Sequence, residues 1–146
     1  KLARKAKMDP VFVNISFVGS SALSQELGPD GEGVVITQVV PFPWDSSLPI
    51  VKEYTKALKA YDGSAEPGFV SLEGYIVGRL TVDALKKAGK DLTRQAFLDA
   101  VYQTGQFDFG GAVLEYGPGD NQGMGEVFLT VIQKDGSFKS VAKLSK

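Results

Sequence analysis

The side chains that most often carry covalent chemistry are missing from this chain, whose 146 residues include no cysteine and no histidine. Thiolate nucleophiles, Cys/His zinc sites, disulfides and an imidazole base are therefore excluded. Carboxylates remain, 17 Asp and Glu in all, but no pair of them converges on a predicted site. No catalytic residue, metal ligand or cofactor is assigned, and an enzyme is the least favoured reading. The glycine-rich stretch Gly117–Gly125 invites comparison with a phosphate cradle or a calcium loop. A phosphate loop should open a helix, whereas this one precedes a predicted strand. The calcium-loop spacing also fails, since Gln122 and Met124 follow Asp120 at ligand positions. A plain β connection explains it better.

What is left is chemistry for holding a ligand. Ser16-Phe17 follows the first predicted strand, and open α/β sheets bind ligands beyond the carboxyl ends of their strands. Ser16 can hydrogen-bond and Phe17 can stack; equally, they are an ordinary loop serine and a packed phenylalanine. Phe42 and Trp44 flank Pro43, where a tryptophan could roof a cleft and donate its indole N–H, or could pack a junction. Ser71 and Glu73 start a predicted helix, whose N-terminus presents free N–H groups. Glu73 would suit that first turn for dipole reasons alone.

The elements that must position these residues follow from periodicity and punctuation. Lys1–Lys7 resembles the last turns of an amphipathic helix without an N-cap. Val11–Ile15 is β-prone, Ser20 or Ser21 could cap a helix through Leu27, and Gly33–Val40 is an apolar, β-branched run suited to a strand buried on both faces. Pro41 and Pro43 stop that ladder. Three helices are predicted next. The first carries Ile50, Val51, Tyr54, Leu58 and Tyr61 on one face. The second carries Leu72, Ile76 and Leu80, and its further apolar residues predict deep burial. The third is capped by Thr93 and stopped by Gly105. From Gly110 the chain reads as β: Ala112–Tyr116, a loop over Gly117–Gly123, then Val127–Gln133 and Phe138–Val141 about an Asp-Gly turn. Two parallel strands with one helix between them form too small a sheet for three long helices, which suggests preceding chain that the sequence does not contain.

Composition narrows the partners. With 16 Lys and Arg against 17 Asp and Glu, and a net charge of -1, there is no basic field for nucleic acid. At 43% hydrophobic the chain can bury a core, and no apolar run approaches the ~20 residues that span a bilayer.

Taken in order, several stretches resemble the C-terminal part of type I periplasmic solute-binding proteins, above all the branched-chain amino-acid (Leu/Ile/Val) binding family of ABC importers. They are Asp9–Val13, Glu32–Pro41, Ser71–Leu80, the Leu92–Ala100 helix and the closing Gly110–Val141 β segment. The resemblance implies an α/β fold of two lobes with only the C-terminal part present. Residues 1–40 would be a βαβ part of the second lobe, 41–108 the helical part of the first lobe after a hinge crossing, and 109–146 a β segment returning to the second.

It further implies a small polar solute captured by cleft closure, without cofactor or covalent chemistry. The partners would be the importer's membrane subunits and the preceding portion of the same protein. The location would be periplasmic or extracellular, with a signal peptide in the precursor and any membrane anchor in the preceding portion. In this family an acidic residue of the second-lobe loop meets the ligand ammonium, and its position falls on Ser16, which offers no countercharge. The same fold serving as the sensor of a receptor or regulator is the alternative.

Overall fold

Proline, glycine and apolar spacing divide the chain into short elements, and the computed structural model describes them over residues 1–144. In chain order they are α1 (Leu2–Lys5), β1 (Val13–Ile15), α2 (Ser20–Leu27), β2 (Val35–Gln38), α3 (Pro49–Tyr61), α4 (Phe69–Ala88) and α5 (Arg94–Thr104). Then follow β3 (Gln106–Asp108), β4 (Val113–Gly117), β5 (Asp120–Gly123), β6 (Phe128–Ile132) and β7 (Phe138–Val141). Contacts divide the chain into two compact units: Lys1–Phe42 with the chain from Val127 onward, and Pro43–Glu126. The divisions fall at 42/43 and 126/127. The cause is local pairing: β3 leaves α5 directly and β4 and β5 fold back onto it, so residues 109–126 remain with the helices.

The first unit is built on a sheet of order β1-β2-β6-β7. β1 and β2 run parallel, with Val13 opposite Val35, and α2 is the connection that parallel pairing requires. β6 adds antiparallel to the other side of β2, and β7 closes a hairpin with β6. Counting only parallel strands therefore underestimated this sheet. Val34, Ile36 and Ile132 are buried at its centre, with Phe12, Leu23, Leu27 and Phe138 against them. Leu23 and Leu27 are four apart and share a face of α2. The expected Gly33–Val40 strand shortens to four ladder residues, although Val34 and Val40 stay buried.

The serine cap expected for α2 does not form. Gly19 is its N-cap without a side-chain bond, and Ser20 and Ser24 are buried instead. Gly28 ends the helix at φ 56 and ψ -134. Arg4 holds α1 to the loop before β2 by donating to the carbonyls of Asp30 and Glu32, and its guanidinium lies over Phe12.

The second unit joins three helices to the antiparallel sheet β3-β4-β5. α3 and α4 contribute Ile50, Val51, Tyr54, Leu72 and Ile76 to the core, and Phe107, Phe109, Ala112 and Leu114 come from the sheet segment. Each such apolar side chain is worth roughly 1.5–3 kcal/mol when fully buried. Gly110 is required: at φ 73, a Cβ there would lie 2.7 Å from Pro49 Cβ, and its carbonyl accepts the Ile50 N–H at 3.1 Å. The expected Thr93 cap is present, its side chain accepting from the Ala96 N–H at 3.0 Å. Arg79 of α4 pairs with Glu53 of α3 and lies over the Tyr75 and Phe109 rings.

Two expectations change here. α4 is less buried than its composition predicts, with Val70 67% and Val77 57% exposed. Gly117–Gly123 is a β-hairpin rather than a loop, because Asp120–Gly123 pairs back on β4 as β5.

Candidate functional site

In the first unit, Ser16 and Phe17 occupy a short 3-10 turn, Ser16–Val18, directly beyond the carboxyl end of β1. The Gly19 N–H donates to the Ser16 carbonyl at 2.9 Å and closes the turn. Gly19 itself needs φ 80, a conformation glycine supplies without strain. Ser16 is half-buried, whereas the Phe17 side chain is 93% exposed. Phe42, half-buried, is the last residue of this unit before Pro43. None of these three lines the depression behind β1, which is walled by Phe12, Leu23, Leu27 and Val34 with Arg4 and Asp30 at its rim.

The second unit brings three of the predicted residues to one helix end. Trp44 is partly exposed and meets Phe69, the first residue of α4, edge to face at 5.6 Å. Ser71 lies in the same first turn, and Glu73 is exposed on the same helix. The turn is fixed by a closed ring of hydrogen bonds. The Gly68 N–H donates to the Tyr54 hydroxyl at 2.9 Å, that hydroxyl and Ser71 Oγ share a bond at 2.6 Å, and Ser71 Oγ donates to the Gly68 carbonyl at 3.2 Å. Gly68 is the N-cap and has no side chain to accept from the helix, so the phenol of Tyr54 satisfies one N–H of the helix entry. Ser71 is thus engaged within its own unit, leaving Trp44 and the following exposed turn as the accessible parts.

Beside Trp44, the Asp45 carboxylate accepts the Ser47 N–H at 3.0 Å and the Ser47 hydroxyl at 2.5 Å. The hydroxyl bond and then the backbone bond hold its pKa below the ordinary aspartate range, as these bonds favour the ionised form. The carboxylate is tied into its own turn. Among the described residues there is no group of three or more His, Cys, Asp or Glu placed to hold a metal, and no helix long and apolar enough to cross a membrane.

Two supporting residues were not singled out from sequence. Tyr54 was counted with the apolar face of its helix, and Gln38 was absorbed into an apolar run. Gln38 is fully buried, and its Nε2 donates to Ser20 Oγ at 2.8 Å and Thr130 Oγ1 at 3.1 Å. A usable signal existed for each: a polar group in a stretch destined for burial must find a partner.

A two-unit α/β chain with exposed aromatic and polar groups at a strand end and at a helix entry suits a binding protein. The periplasmic binding protein family matches residues 1–137, and the chain belongs to that family. It is similar in structure to a possible leucine/isoleucine/valine-binding protein from Rhodopirellula baltica SH 1. The two are 44% identical with a TM-score of 0.88, over 97% of this chain and 38% of that one. An extracellular ligand-binding receptor from Verminephrobacter eiseniae ef01-2 is 30% identical with a TM-score of 0.77, over 93% and 39% of the two chains. A fatty acid ABC transporter substrate-binding protein from Thermomonospora curvata shares the fold at 22% identity and a TM-score of 0.78, over 96% and 38%. The chain therefore spans about two-fifths of the length of these structures. Among curated protein sequences none matches it.

Proposed function

We propose that this chain is the C-terminal portion of the solute-binding component of an ABC importer, working in the periplasm or outside the cell. In the whole protein it would capture a small polar solute, an amino acid or a related organic acid, by cleft closure and without covalent chemistry. The observation that carries this reading is the 44% identity to the possible leucine/isoleucine/valine-binding protein over 97% of the chain. Residues 1–40 and the returning β6–β7 hairpin would belong to the second lobe, and the helices after Pro43 to the first. The solute would meet Ser16 and Phe17 on one lobe, with Phe42, Trp44, Ser71 and Glu73 contributing at the hinge and the helix entry. Ser16 presents a hydroxyl rather than a carboxylate, which favours a solute that carries no ammonium at this position. Membrane subunits of the importer and the preceding portion of the protein would be the partners. A second reading, a ligand-sensing domain of a receptor with the same fold, draws support from the likeness to the extracellular ligand-binding receptor.

Native mass spectrometry of the whole protein purified without added ligand tests the proposal. A copurified organic acid or amino acid below ~300 Da is expected, since binding proteins of nanomolar to micromolar affinity retain solute. Retention of none, together with no thermal stabilisation by a panel of such solutes at millimolar concentration, contradicts it.

A further inference from the structure

Gln38 ends β2 in the first unit, fully buried, and it is the one polar side chain in the run from Val39 back to Val34 apart from Thr37. Its two bonds leave in different directions. One reaches Thr130 Oγ1 on β6, the strand next to β2; Thr130 in turn donates to the Ile36 carbonyl at 3.3 Å, so this arm stays within the sheet. The other reaches Ser20 Oγ, on the first residue of α2. That residue follows Gly19, the uncapped entry of the helix, and the turn Ser16–Val18 lies immediately before it. The hydroxyl that would ordinarily cap a helix is used here to tie its first turn to the sheet.

A second tie lies four residues on, where Ser24 Oγ donates to the Gly136 carbonyl of the β6–β7 turn at 2.7 Å. Residues four apart share a helix face, so α2 is pinned at two points along its inner side, and Gln38 holds the one nearest the turn. The tether carries a cost, because Gln38 Oε1 is buried without a partner among the described residues.

We infer that Gln38 is a positioning residue. Through Ser20 it fixes the Ser16–Gly19 turn and so sets where Ser16 and Phe17 are presented. Its bearing on solute capture rests on the reading of that turn given above; the tether itself does not.

The test is hydrogen exchange by mass spectrometry on the whole protein, for Gln38→Met, Ser20→Ala, their double variant and Thr130→Val. Gln38→Met and Ser20→Ala should each speed exchange over residues 16–24 by about tenfold, while the β6 peptide changes by less than about threefold. The double variant should exchange no faster over residues 16–24 than Gln38→Met alone, because the Ser20 bond is already lost there. Thr130→Val should leave residues 16–24 near the wild-type rate. Equal acceleration across the whole first unit, or no acceleration at 16–24, overturns the inference. Local acceleration with unchanged solute affinity would uphold the tether and count against a solute role for the turn.

Discussion

Each unit of this chain holds a candidate binding segment by one buried polar side chain, and the two solve that problem differently. In the second unit Tyr54 sits in a closed ring with Gly68 and Ser71, so each hydroxyl in it has a donor or an acceptor. In the first, Gln38 bridges Ser20 and Thr130 but leaves its Oε1 without a partner among the described residues. The aromatics differ in parallel: Trp44 leans edge-on against Phe69, whereas Phe17 stands 93% exposed on its turn. A satisfied network rigidifies what it touches, and a partly satisfied one costs free energy to keep. The helix entry is thus held by a satisfied network, and the turn after β1 by one with an unpaired acceptor.

The core of each unit sets the largest expected effects. Ile36→Ala in the first unit and Leu72→Ala in the second should each destabilise by roughly 2–5 kcal/mol in denaturant unfolding, since both side chains are fully buried. Each should raise hydrogen exchange mainly in its own unit; equal loosening of both units by either variant would break the division drawn between them.

The polar supports should separate more sharply. Tyr54→Phe strands the Gly68 N–H and leaves Ser71 with only its bond to the Gly68 carbonyl, and should cost about 1–3 kcal/mol. Gln38→Leu paired with Ser20→Ala removes both ends of one bond and an unpaired acceptor. It also ends the bond to Thr130, which keeps its own bond to the Ile36 carbonyl, and global stability should change by less than about 1 kcal/mol. Equal global costs for the two would erase the contrast.

Ser16→Asp tests the uncharged character of the turn. In the whole protein it should raise affinity for an ammonium-bearing solute by about tenfold, the worth of one charge-assisted hydrogen bond. Calorimetry with a matched amino acid and its 2-oxo acid reads the shift; a gain for the oxo acid instead would contradict the assignment.

The smallest effects concern acid. Asp45, Asp62 and Asp135 are each held below the ordinary aspartate value of 3.8 by a serine hydroxyl two residues on and then by that serine's N–H. A depressed folded-state pKa contributes stability that is present above the unfolded value and is lost as pH falls through the folded one. Amide shifts of Ser47, Ser64 and Ser137 should therefore titrate with midpoints below 3.8; midpoints at or above it would show that these turns do not favour the ionised form.

Much of the scaffold was legible because it rests on local chemistry. The Thr93 cap, the Ile50, Val51 and Tyr54 stripe of α3 and the Asp135-Gly136 hairpin follow from residue types a few positions apart, whereas Tyr61, expected on the same face, is 92% exposed. Pairing across sequence was not. That β6 would join β2 antiparallel, or that Asp120–Gly123 would fold back on β4, depends on contacts no local pattern encodes. The α2 cap failed for a related reason, because Ser20 has a better partner in Gln38, eighteen positions away. Ser16, Phe17, Trp44 and Ser71 could be nominated because strand ends and helix starts can be read from sequence. Their supports were passed over, since Tyr54 and Gln38 sat in patterns whose apolar character hid a buried polar group.

The most direct measurement is calorimetric titration of the whole protein, wild type against Phe17→Ala and Trp44→Ala, with the solute that copurifies. Phe17 is 93% exposed, so Phe17→Ala should lose less than about 1 kcal/mol of stability. Trp44 is 43% exposed and packed on Phe69, so Trp44→Ala should lose about 1–3 kcal/mol, which denaturant unfolding reads separately from binding. Each should nonetheless weaken binding by about tenfold or more, as expected for an aromatic group that closes on a ligand. Unchanged affinity in both variants would remove these residues from the solute site and contradict the assignment of the turn and the helix entry to it.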